Sequence, residues 1–129
     1  MSLPIFLVED EPVLRDQLIA LTKIMLDAEI VGMAESENEA VIWLHDHSNA
    51  WKIAVIDLYL KEGTGFGILS CLTEHRDRRV IVLTNSANRE NRSRCLALGA
   101  DAVFDKSAEL ENFINYCADL SAIIENKSF

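Results

Sequence analysis

The chain of 129 residues predicts an α/β fold built on a doubly wound, five-stranded parallel sheet. Three observations carry the prediction. Short apolar runs without alternation recur along the chain, stretches with helical apolar spacing separate them, and four of the five runs lead directly into polar or charged residues. Strands apolar on both faces belong to parallel sheets covered by helices. Repeated strand–helix alternation implies right-handed crossovers, with helices on both sides of the sheet.

The first run, residues 5–8, leads into Glu9-Asp10-Glu11 and then a helix over 12–26. Pro12 sits in the first turn, where its missing N–H costs nothing, and Leu14, Leu18, Leu21 and Met25 fall on one stripe. After the second run, 30–34, a helix over 37–48 opens with the capping box Ser36-x-x-Glu39. The third run, 53–56, ends in Asp57, and residues 65–76 carry Phe66, Leu69 and Leu72 at helical spacing. The fourth, 80–83, ends in Thr84. The helix after it, 88–98, carries Cys95 and Leu98, with Gly99 placed to stop it. A weaker fifth run, 102–104, leads to Lys106. The last helix, 108–125, presents Leu110, Phe113, Ile114, Cys117, Leu120 and Ile124. The unit is (βα) five times over, expected to be a single domain spanning 1–129 with no second or output domain.

Composition narrows the function. Half the residues are apolar, enough for a chain of this size to bury roughly two thirds of its unfolded surface without metal or disulfides. The formal charge of −9 argues against direct nucleic-acid binding, because non-specific affinity comes from neutralising phosphates. No run approaches the ~20 apolar residues of a membrane span, and the start lacks the pattern of a signal peptide. Cys71, Cys95 and Cys117 form no C-x-x-C pair and read as small hydrophobes in a reducing compartment, so a cytoplasmic protein is expected. Six arginines fall within 76–94 (Arg76, Arg78, Arg79, Arg89, Arg92, Arg94), read plainly as a solvated face and more sharply as a docking surface for an acidic partner.

Doubly wound sheets bind ligands outside the carboxyl ends of their strands, near the point where winding reverses. If the strand order is 2-1-3-4-5, the groups following strands 1, 3, 4 and 5 converge: Glu9-Asp10-Glu11, Asp57, Thr84 and Lys106. Convergent carboxylates repel by roughly 4 kcal/mol per close pair at an effective dielectric of 20. A cation relieves that repulsion, and oxygen ligands without His or Cys select Mg²⁺ or Mn²⁺. These parts suit phosphoryl transfer onto a carboxylate, with an ammonium and a hydroxyl to hold phosphoryl oxygens.

On these residues the chain resembles the CheY-like receiver domain of two-component response regulators, along essentially its whole length. The acidic doublet is similar to Glu9-Asp10 in Val8-Glu9-Asp10-Glu11-Pro12, the acceptor segment to Asp57-Leu58-Tyr59-Leu60 with Gly65 downstream, the switch hydroxyl to Thr84, and the lysine to Lys106. The resemblance implies a flavodoxin-like (βα)₅ fold and a phosphorelay switch. Asp57 would accept a phosphoryl group from a sensor histidine kinase or a histidine phosphotransfer protein. Asp10, Asp57 and the backbone carbonyl of Tyr59 would ligate Mg²⁺ (or Mn²⁺), with Glu9 acting directly or through water. Lys106 and Thr84 would contact phosphoryl oxygens, Tyr59, Asn85 and Ser86 would tune the acyl phosphate's lifetime, and the face of any homodimer would run from helix four through helix five.

Three departures stand out. Lys61 replaces the family's Pro four residues after the acceptor, which predicts a looser loop. Val103 stands where the switch aromatic belongs, and the neighbouring Phe104 points to the opposite face. Lys106 is followed by Ser107 instead of Pro, which predicts a trans peptide bond, or else a strained cis bond held by the site.

His45, His47 and His75 read as surface residues, and Trp43 and Trp51 as packing. Other functions fit less well. An aspartyl phosphatase of the haloacid-dehalogenase type needs a second Asp where Tyr59 stands. A flavodoxin-like electron carrier would meet phosphate repulsion from Glu9-Asp10-Glu11. The alternative of a pseudo-receiver, docking without phosphorylation, must explain why all four key groups are present. No DNA-binding element follows the last helix, which is expected of a stand-alone receiver or of a fragment of a longer regulator.

Overall fold

Residue parity along the strands divides the core into two layers. The structure, a computed structural model, describes residues 2–72 and 77–127. Its elements are β1 (Leu3–Val8), α1 (Pro12–Leu26), β2 (Ala28–Ala34), α2 (Glu37–Asp46), β3 (Ile53–Ile56), α3 (Gly65–Ser70), β4 (Arg79–Thr84), α4 (Arg89–Ala97), β5 (Ala102–Asp105) and α5 (Leu110–Lys127). All strand pairs are parallel and the order is β2-β1-β3-β4-β5. Phe6, Val8, Ala54, Ile56, Val80, Val82 and Val103 face a layer closed by Ala40, Leu44, Phe66, Ile68, Leu69 and Cys95 of α2, α3 and α4. The alternate residues, Leu3, Ile5, Leu7, Ile53, Val55, Ile81 and Leu83, face Leu18 and Leu26 of α1 and Phe113, Ile114, Cys117 and Leu120 of α5.

The helix starts and stops follow local chemistry. Pro12 opens α1, with the Glu11 carboxylate accepting from Val13 N at 3.2 Å. Ser36 Oγ accepts from Glu39 N at 3.2 Å, Asn88 Oδ1 from Asn91 N at 2.8 Å, and Gly99, at φ +103°, ends the segment after α4.

Several expectations need correction. The fully buried stripe of α1 is Leu18, Thr22 and Leu26; Leu14 and Leu21 pack against the same core at its edge as expected, while Met25 is 59% exposed. A threonine belongs there because its hydroxyl donates to Leu18 O at 2.8 Å, which satisfies it inside the helix. Helix α2 stops at Asp46 instead of residue 48, with His47 N donating back to Trp43 O. Helix α3 ends at Ser70, where the N–H groups of Cys71 and Leu72 donate to Ile68 O and Leu69 O in a tightened last turn. The expected continuation over 73–76, which includes His75 and Arg76, lies outside the described residues. Cys95 and Cys117 are buried, but Cys71 is exposed. Trp51 is buried, and Trp43 stacks on Phe6 with ring centroids 4.2 Å apart.

Candidate functional site

Backbone ladder bonds run one residue past the strands and fix the groups that follow them. Glu9 N donates to Ala34 O at 3.0 Å, Asp57 N to Val8 O at 3.2 Å, and Lys106 N to Thr84 O at 3.0 Å. Glu9, Asp10 and Asp57 thereby meet at one edge of the sheet, each with a carboxylate oxygen within 4.8 Å of the others. Glu9 is 1% exposed and Asp57 7%. Lys106 reaches back into this cluster, its Nζ 2.5 Å from Glu9 Oε1 and 2.8 Å from Asp57 Oδ2.

Burial holds the Glu9 carboxyl above the usual glutamate value, although Lys106 pulls it down. Burial alone would also depress Lys106, but its hydrogen bonds to Asp57 and Glu9 outweigh that and raise it, so the ammonium stays charged. Three carboxylates against one ammonium leave about two negative charges when all are ionised. The donor set, all oxygen with no His or Cys, fits one hard divalent cation in charge and chemistry.

The loop from β3 to α3 is held from two sides. Lys61 N donates to Asp10 Oδ2 at 2.5 Å, and Thr64 N donates to Glu37 Oε1 at 2.8 Å. Glu37 N donates to Glu62 O at 3.1 Å, and Tyr59 pairs with Thr64 in an isolated antiparallel bridge. The looser loop expected from the missing proline is instead tethered by these bonds. Gly65 is required by close approach: a Cβ there would lie 2.4 Å from the Asp57 carbonyl oxygen and 3.0 Å from Leu58 Cα. Only a residue without a side chain lets α3 begin against the end of β3.

Thr84 is buried at the end of β4, and its Oγ1 accepts from Ser86 N at 3.2 Å. Asn85, exposed in the next turn, accepts from Ser107 Oγ at 3.2 Å. Val103 and Phe104 do face opposite layers, with Phe104 packed edge-on against Phe113 and Tyr116. No peptide bond among the described residues is cis, so the Lys106–Ser107 bond is trans.

Two residues that the sequence spacing does not single out tie the neighbouring loops together. Arg92 donates from Nε to Ala87 O at 2.7 Å and from a guanidinium nitrogen to Val103 O at 2.9 Å, and it also pairs with the Glu109 carboxylate. Asn91 donates to Ser86 O at 2.8 Å and accepts from the Tyr59 hydroxyl at 3.4 Å. In the sequence Arg92 stands out only as one member of the arginine cluster, and Glu37 only as the first residue of the helix over 37–48.

The sheet order and winding are those of the flavodoxin-like CheY class. The pattern of the response regulator receiver domain matches residues 5–118, and the chain belongs to that family. It is 27% identical over 106 residues to the response regulator GtcR of Aneurinibacillus migulanus, covering 82% of this chain and 42% of that protein. The chain thus spans less than half the length of that relative. Among solved structures, it is similar in fold to a chain of the CheX–CheY–BeF3–Mg complex of Borrelia burgdorferi, with TM-score 0.74 and 22% identity over 88% of each chain. It is also similar to a Burkholderia pseudomallei response regulator carrying a phosphorylated aspartic acid, with TM-score 0.75 and 19% identity over 98% of this chain and 73% of that one. Among the described residues, no helix is long and apolar enough to cross a membrane.

Proposed function

We propose that this receiver domain is a phospho-accepting signalling switch, comprising one domain over residues 1–129, in which Asp57 takes a phosphoryl group from a phosphohistidine of a sensor kinase or a histidine phosphotransfer protein. The observation that carries the reading is the Lys106 ammonium held 2.8 Å from Asp57 Oδ2, beside the buried Glu9 and the half-buried Asp10. In the transfer, an Asp57 oxygen forms the new O–P bond as the N–P bond breaks, and the donor ring, carrying a proton on its other nitrogen, leaves as neutral imidazole. Lys106 exchanges one carboxylate contact for a phosphoryl oxygen, which keeps a charge-assisted hydrogen bond throughout. The Thr84 hydroxyl already accepts from Ser86 N, so its own proton is left to donate to a second oxygen.

Glu9, Asp10, Asp57 and the Tyr59 carbonyl would hold a Mg²⁺ or Mn²⁺ ion, which supplies charge neutralisation at the reacting oxygens. The output is then a change of surface read by a partner protein, from a cytoplasmic location and without direct contact to nucleic acid. The domain modifies only itself and turns over no separate substrate.

Incubation of the purified chain with acetyl phosphate and Mg²⁺, followed by intact mass and peptide mapping, tests this. Stoichiometric phosphorylation at Asp57, lost in Asp57→Asn, is the expected result. An unlabelled wild type under conditions that label another receiver domain would overturn the reading in favour of a phosphorylation-independent docking module.

A further inference from the structure

The backbone N–H of residue 61 points at a carboxylate of the acidic cluster, an arrangement open to any residue except proline. Lys61 N lies 2.5 Å from Asp10 Oδ2, across 51 residues of sequence. Asp10 is also one of the three carboxylates that converge within 4.8 Å. One Asp10 oxygen is therefore committed to the β3–α3 loop, while the carboxylate as a whole belongs to the cluster. The loop so engaged starts at Tyr59 and closes on itself through the Tyr59–Thr64 bridge. Its far side is fixed to α2 by the Thr64–Glu37 and Glu37–Glu62 hydrogen bonds.

We infer that the main-chain N–H of Lys61 is a positioning group for the cation site: it orients Asp10 and ties to it the loop that carries the Tyr59 carbonyl. The inference rests on the cation-dependent reading given above and adds to it a link between cation binding and loop order. A hydrogen bond from outside the coordination shell fixes a ligand's rotamer, and removing such a bond typically weakens metal binding 10–100-fold. The link is reciprocal, so a cation that draws Asp10 into one orientation also makes the Lys61 N–H harder to release. The Lys61 side chain is exposed, and its ammonium takes no part in this bond.

The test compares Lys61→Pro with Lys61→Ala in the full chain, with Mg²⁺ titrated calorimetrically into each. Both variants lose the ammonium, but only the proline loses the N–H donor. We expect Mg²⁺ to bind Lys61→Pro about ten-fold more weakly than Lys61→Ala. Equal or tighter binding by Lys61→Pro overturns the inference.

A second measurement needs no variant to fold. Amide hydrogen exchange of the wild type is compared with and without saturating Mg²⁺, and the Lys61 amide should slow about ten-fold. An unchanged Lys61 amide overturns the inference while leaving the cation site intact. If the wild type takes up no Mg²⁺ at all, the cation-dependent reading of the site fails first and this inference falls with it.

Discussion

Lys106 Nζ stands 2.8 Å from Asp57 Oδ2, joining two strand ends that lie 49 residues apart in sequence. The same ammonium is 2.5 Å from Glu9 Oε1, and its side chain is only 7% exposed. A single cation thus neutralises part of a buried anionic cluster. Removing it should leave two carboxylates without their partner in a poorly solvated place. We expect Lys106→Ala to lose about 3 kcal/mol in urea unfolding. Mg²⁺ should restore more stability to this variant than it adds to the wild type, because it then replaces the charge that Lys106 supplied. A variant as stable as wild type in the absence of divalent ions would contradict the charge balance described for the site.

Gly65 gives a second test. A methyl group there would meet the backbone of Asp57 and Leu58, which cannot move aside as a flexible side chain could. Gly65→Ala should cost about 2 kcal/mol and displace the end of β3. Phosphorylation by acetyl phosphate should fall with it, measured as phosphoprotein yield at fixed time. Gly99→Ala, which is strained at φ +103° but lies away from Asp57, should destabilise without that selective loss.

Thr84 separates chemistry from folding. Its hydroxyl is buried and satisfies Ser86 N, so Thr84→Ala should cost about 1 kcal/mol of stability. If the hydroxyl also donates to a phosphoryl oxygen, the rate of Asp57 labelling should fall about ten-fold, and Thr84→Ser should recover most of it. An unchanged labelling rate in Thr84→Ala would remove Thr84 from the phosphoryl contact.

The Arg92–Glu109 pair predicts a pH effect. The Arg92 guanidinium and the Asp105 backbone N–H hold the Glu109 carboxyl below its ordinary value of 4.5. A depressed carboxyl pKa contributes stability that is present above the unfolded value and lost as pH falls through the folded one. Wild type should therefore lose stability as pH is lowered below about 4.5, and Glu109→Gln should show a shallower slope there, read from denaturant midpoints across that range. Identical acid limbs would show that the pair contributes nothing.

The cysteines provide a check on the fold itself. Burial pushes the Cys95 thiol up to about 11 and Cys117 to about 12, whereas Cys71 is exposed. Iodoacetamide near pH 8 should modify Cys71 alone in the native chain and all three cysteines in denaturant. Rapid native modification of Cys117 would conflict with the packing of α5.

Much of this was legible in the residues. Apolar runs too short for helices marked β1, β3 and β4, because a strand covered on both faces has no reason to alternate. Capping chemistry at Ser36 and the stop at Gly99 were equally local. Even the opposed directions of Val103 and Phe104 followed from the two-residue repeat of a strand.

Other features did not follow from hydropathy or residue spacing. Thr22 belongs to the buried stripe of α1 because Leu18 O satisfies its hydroxyl, and a hydropathy pattern counts it as polar. The end of α3 at Ser70 is likewise hidden, since the apolar spacing runs on beyond it. No spacing rule links Glu37 to Thr64, Arg92 to Val103, or Lys61 to Asp10, because each pair joins different elements of the fold.

The sequence by itself determined the five strand–helix units and the kinds of group at their ends, since periodicity and capping act between neighbours along the chain. Only the tertiary structure decided which of those groups touch. It bound Asp10 to the Lys61 amide and set Lys106 between Glu9 and Asp57, because contacts between separate elements depend on how the strands are ordered and how tightly the helices pack against them.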